Sequence, residues 1–130
     1  MPAPSVQTYS AAAKVASNTS FRDLLDAGVA AGSINIRDAA DVLLAQIPLT
    51  DPCGTVNGAT GLLTITPNGR DESAAASGTA AYAEFCDSAG LVHLSLPAQA
   101  GGVAVSGKVV LNTLTVVAAG SVEVVSAVID

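Results

Sequence analysis

Along most of the chain, apolar and polar positions alternate with a period of two, the spacing of strands whose faces meet different surroundings. Thr79–Cys86 sets Thr79, Ala81, Ala83 and Phe85 against Ala80, Tyr82, Glu84 and Cys86. In Leu91–Leu96, Val92, Leu94 and Leu96 share a face opposite Leu91, His93 and Ser95. Further strands are predicted over Ile34–Arg37, Val42–Ile47 (ended by Pro48), Leu62–Thr66, Lys108–Val116 and Ser121–Ile129, the last two rich in β-branched Val. Turn formers punctuate them: DPCGTVNG at Asp51–Gly58, Pro67-Asn68-Gly69, Asp87-Ser88-Ala89-Gly90, the flexible Gln99–Gly102 and Ala118-Ala119-Gly120. Ser73–Ser77 reads as a small-residue linker, and no long internal repeat is visible.

A helical period occurs once, over Ser20–Ala31. Phe21, Leu24, Leu25 and Gly28 fall at i, i+3, i+4 and i+7. Ser20 is the expected N-cap with Asp23 in a capping-box variant, and Gly32 the expected left-handed stop. Residues 1–19 (MPAPSVQTYSAAAKVASNT) carry two early prolines and no clear period, so they read as an extended N-terminal arm. That arm is either a frayed terminus or a segment that orders against a neighbouring subunit. The predicted organisation is an arm at 1–19 and one β-rich domain at 20–130. The expected class is mainly β: an antiparallel β-sandwich or partly closed barrel with one short N-terminal helix.

Composition narrows what such a domain can do. Half of the 130 residues are hydrophobic and 12% are charged, which argues against disorder. The apolar residues are small, with 25 Ala and 12 Gly against two Phe, two Tyr and no Trp. Each such side chain buries little area, at roughly 25 cal/mol per Å², so an isolated domain should be modestly stable and gain from assembly. Net charge is −6, and Lys14, Arg22, Arg37, Arg70 and Lys108 are scattered singly. Nucleic acid and anionic membrane surfaces are therefore not expected partners. With no signal-peptide pattern at the N-terminus and no long apolar span, the chain is expected to be soluble and made in a cytoplasm. Cys53 and Cys86 are then expected to be reduced and partly buried, a disulfide being the alternative.

Candidate chemistry is sparse. His93 is the only histidine, and a Ser-His-Asp triad would have to use it. No Gly-x-Ser-x-Gly elbow, phosphate loop or paired metal-ligand spacing accompanies it, so His93 is expected to face solvent or an interface. Calcium could use Asp38 with Asp41, Asp51 with its loop, or Asp71 with Glu72, yet each reads more simply as a solvated turn residue. Tyr82 and Glu84 share a strand face, but a glycan site would want more aromatic platforms than four. The expectation is a non-enzymatic protein with no catalytic, cofactor-binding or metal residues.

Three segments carry a resemblance: LLDAGVAAGSINIR (Leu24–Arg37), SGTAAYAEFCDSAGLV (Ser77–Val92) and VSGKVVLNTLTVVAAGSVEVVSAVI (Val105–Ile129). Together they resemble small virion proteins encoded in tailed-phage structural gene clusters, over about residues 20–130. The resemblance implies a capsid decoration or auxiliary head protein. It would be assembled in the host cytoplasm and would bind the major capsid protein, or another virion protein, and copies of itself, as in a trimer. A tail or baseplate component, or a virion-displayed receptor- or glycan-binding module, is the alternative.

Overall fold

The computed structural model describes residues 9–130. One helix, α1 (Ala11–Asp26), precedes nine strands: β1 (Ser33–Arg37), β2 (Leu43–Val56), β3 (Leu63–Pro67), β4 (Gly78–Thr79), β5 (Tyr82–Cys86), β6 (Val92–Ala100), β7 (Val109–Leu111), β8 (Thr115–Val116) and β9 (Val124–Ile129). Seven of them close a barrel in the order β1-β2-β3-β9-β7-β6-β5, while β4 and β8 form a separate two-stranded ribbon. The mainly β class with one helix therefore holds, in the form of a closed barrel. All its pairs are antiparallel except β6–β7, which is parallel and spans only Ala98–Ala100 against Val109–Leu111.

Alternation puts Ile34 and Ile36, Ala45, Ile47 and Leu49, Leu63 and Ile65, Ala83 and Phe85 inside the barrel, all nearly or fully buried. Phe85 is the largest fully buried side chain among the described residues. Its ring meets Phe21 of α1 edge-to-face, with centroids 6.5 Å apart. Leu25, one turn further along α1, is fully buried in the same cluster.

The helix starts earlier than predicted. Ser10, not Ser20, is the N-cap, its Oγ accepting from the Ala13 N–H at 3.2 Å. Residues 11–19, expected as part of an arm, are helical; residues 1–8 lie outside the described residues. Two causes hid this helix. Its first turns are alanine, the best helix former but silent in hydrophobic periodicity. Its buried stripe then passes through a polar residue, Asn18, which is 5% exposed. The Asn18 amide donates to the carbonyls of Gly61 (2.6 Å) and Ile129 (3.4 Å), docking α1 across the β2–β3 turn and the end of β9. Gly61 has φ +79°, and a Cβ there would collide with Lys14 of the helix, so glycine is required twice over. The other end differs too: Leu24 is half-exposed, and the helix stops at Asp26, well short of Gly32.

Strand ends were misjudged at proline. β2 continues through Pro48 and Pro52 to Val56, so most of the expected Asp51–Gly58 turn is strand. Pro48 sits where pairing with β1 ends. The Leu49 N–H donates to Gly32, which turns the Pro48 nitrogen away from β1 toward the end of the β2–β3 pairing. Pro52 lies in the register shift between Leu49 and Gly54, where β2 bulges away from β3. The expected strands Thr79–Cys86 and Lys108–Val116 are each broken into two short ones, because β4 and β8 leave the barrel to pair with each other.

Replacing Leu25 by Ala should cost about 2–5 kcal/mol. Asn18→Ala, which strands two carbonyls, should cost about 1–3 kcal/mol. Deletion of residues 1–19, which removes the N-terminal part of α1, should destabilise the domain as a whole. A urea midpoint equal to wild type in either point variant would contradict this packing.

Candidate functional site

The outer face of β2, β1, β5 and β6 is a continuous polar surface. Register aligns Gln46, Asn35, Glu84 and Ser95 across the four strands, with Arg37 beside Tyr82 on the next row. Arg37 Nε pairs with Glu84, and its Nη1 donates to the Asp41 carbonyl at 2.9 Å. The Tyr82 hydroxyl donates to Asp41 Oδ1 at 2.7 Å, and that bond to a carboxylate pushes the phenol up to about 12. Gln46 Nε2 donates to Ser33 Oγ at 3.3 Å. Asn35 Nδ2 donates to Cys86 Sγ at 3.4 Å, while its Oδ1 is buried with no hydrogen-bond partner among the described residues. Tyr82 and Glu84 thus share one strand face as expected, and each side chain is held by its own partner, Asp41 and Arg37 respectively.

His93 is not a free surface histidine. Its Nε2 lies 3.0 Å from Asp87 Oδ2, and both side chains are 16% exposed. Asp87 also organises the β5–β6 hairpin, its Oδ1 accepting from the N–H groups of Ala89 and Leu91, each at 3.0 Å. The hydrogen bond to His93, followed by those backbone donors, holds the Asp87 carboxyl below the usual carboxylate range. The Ser88 hydroxyl donates to the Ala27 carbonyl at 3.4 Å, clasping the hairpin to the segment after α1. A surface hollow of about 430 Å³ lies beside this clasp, lined in part by Ser33, Gln46, Asp87 and Ser88. The His93–Asp87 pair and the Ser88–Ala27 bond together fasten the hairpin at its turn.

The calcium candidates do not converge. Asp38 Oδ1 accepts from the N–H groups of Ala40 and Val42, both at 2.9 Å, closing the β1–β2 turn. Asp71 bridges Gln46 N–H (2.9 Å) and Ser73 N–H (2.9 Å), and Glu72 pairs with Arg70 at 2.7 Å. Asp51 is exposed on the bulged part of β2. Among the described residues no three His, Cys, Asp or Glu side chains gather as a metal-binding group. No protein-family model, no curated protein and no solved structure matches this chain. Among the described residues, no helix is long and apolar enough to cross a membrane.

The two cysteines are free, buried and on different elements. Burial, reinforced by Asp26, pushes the Cys53 thiol up to about 12, and burial likewise raises Cys86. Cys53 also anchors the helix, its N–H donating to Asp26 Oδ1 at 2.9 Å. In the sequence Asp87 reads only as a turn residue, and its role as the partner of His93 emerges in the fold. A signal existed in the Asp-x-x-Gly turn with a histidine six positions on.

In the folded protein at neutral pH, both thiols should resist a disulfide exchange reagent and react promptly once denaturant is added. Prompt reaction of either thiol without denaturant would contradict their burial. Because the folded Asp87 carboxyl lies below its unfolded value, its ionised form contributes stability that is complete above the ordinary carboxylate range. That contribution is lost as pH falls from about 4 through the lower folded value. Wild type should thus lose its advantage over Asp87→Asn in acid denaturation, and a difference independent of pH would contradict the clasp.

Proposed function

We propose that the chain is a non-enzymatic structural protein of a virion, a decoration or cement protein bound to the outer surface of a phage head. The observation that carries this reading is the unfinished state of β6. Inward residues on the neighbouring strands are buried, but Leu94, Leu96 and Ala98 of β6 stay only partly covered, and no β6 residue is fully buried. The β6 ladder is also one-sided over Val92–Pro97. The Ala98 N–H donates to Ala81 on the β5 side and the Gly101 N–H to Leu111 on the β7 side, both at 3.1 Å. The same alternation turns the Ser95 N–H and the donor-less nitrogen of Pro97 toward the β7 side, where no described strand pairs with them. A half-covered apolar strand with an open edge is a surface that a neighbouring chain completes.

Other features support an assembly role. Leu91, at the β5–β6 hairpin, is 62% exposed, and Val29, Val103 and Val117 also project from loops. The carboxylates weighed above at Asp38, Asp71, Glu72 and Glu84 serve turns and ion pairs. The resemblance of three segments to tailed-phage virion proteins is what suggests the partners in this reading: the major capsid protein, or another virion protein, and copies of this chain in a closed ring such as a trimer. A tail or baseplate position is the second reading within the same class.

Imaging a particle that carries this chain decides between them. Copies repeating over the whole shell are expected. A single ring at the tail would move the protein to the second reading, and absence from the purified particle would overturn both.

A further inference from the structure

Two Asn-Gly dipeptides occur in the chain, Asn57-Gly58 and Asn68-Gly69. Both lie exposed in connections after strands, one after β2 and one after β3. In such a pair the glycine, lacking a Cβ, lets its backbone nitrogen approach the preceding side chain. The nitrogen bonds to Asn Cγ, the side-chain Cγ–Nδ2 bond breaks, and ammonia leaves with the proton given up by the attacking N–H. Water then opens the succinimide ring at either carbonyl, leaving aspartate or isoaspartate. Water is the only co-reactant.

The fold treats the two asparagines differently. Asn57 is held at four points. Its Oδ1 accepts from the N–H groups of Ala59 (2.8 Å) and Thr60 (3.1 Å). Its N–H donates to Leu62 at 2.8 Å, and its carbonyl accepts from Gly61 at 2.7 Å. Rotating Cγ toward Gly58 would break both side-chain bonds. Asn68 is anchored only by its backbone N–H, which donates to the Pro48 carbonyl at 2.8 Å. Its side chain makes no hydrogen bond among the described residues. Gly69 follows at φ +82° with open space around it.

We propose that Asn68-Gly69 is a site of spontaneous succinimide and isoaspartate formation in the folded protein, and that Asn57-Gly58 is protected by its turn. Asn68 stands in the chain between Pro67 and Gly69, which line a groove of about 520 Å³ together with Arg70, Glu72, Glu123 and Val124. There Arg70 is already paired with Glu72 and also feels Glu123. The modification therefore adds unbalanced negative charge to one face as the protein ages, and isoaspartate lengthens the backbone where it leaves β3.

The test is incubation of the purified folded chain at mildly alkaline pH and physiological temperature, followed by peptide mapping. The one-dalton gain and isoaspartate are then located by fragmentation. Asn68 should convert faster than Asn57 by on the order of tenfold or more, the rate equivalent of two hydrogen bonds. In denaturant the two rates should converge, and Asn68→Gln should remove the faster signal. Equal conversion of the two sites in the folded protein would overturn the proposal. So would a rate difference that survives denaturation, or an Asn68 that converts only when unfolded.

Discussion

The structure depends on the packing of one helix against the end of a barrel built from small side chains. Phe21 and Leu25 of α1 meet Phe85, the largest side chain of a core otherwise made of Ala, Val, Leu, Ile and Cys. Such a core offers little area per residue, so closing its end matters more than it would around larger side chains. Asn18 converts this greasy contact into a defined one, because its amide donors fit two carbonyls at a single position of the helix. Asp26, accepting from the Cys53 N–H, fixes the other end of the same helix on the bulged half of β2. Both ends of the helix are thereby tied to the barrel.

Much of the strand framework was legible because period-two alternation survives wherever one face is buried. Ile34–Arg37 and Leu62–Thr66 appear within a residue of their predicted places, and so does the turn between β5 and β6. However, β5 starts three residues later than expected, and β6 runs four residues past Leu96 into the segment read as flexible. What was illegible has specific causes. Alanine at 11–13 carries helix propensity without hydrophobic contrast, and Asn18 interrupts the apolar stripe it belongs to. Pro48 and Pro52 look like stops, yet Pro48 turns its nitrogen away from β1 and Pro52 sits in the bulge of β2. Closure through a parallel β6–β7 pair depends on contacts across the Gly101–Lys108 connection, which no local pattern announces.

The polar surface shows a similar division. The sequence marks Asp38, Asp41, Asp71, Glu84 and His93 as chemically interesting, and the fold spends each on holding a turn or a strand row. Asn35 stands apart, with a buried Oδ1 that no group among the described residues satisfies, beside the buried Cys86 thiol. Residues that form chemical motifs at first reading are here the fasteners of a thin-walled barrel. In the proposed role they keep rigid a surface whose unfinished strand, β6, meets a neighbour.

That claim reduces to whether β6 is completed on assembly. Hydrogen exchange at the Ser95 amide, followed in the free protein and on the particle, measures it most directly. Fast exchange is expected in the free chain and strong protection once bound, with little change at already paired amides such as Ala98. An amide at Ser95 that is protected in the free chain, or equally exposed in both states, would contradict it.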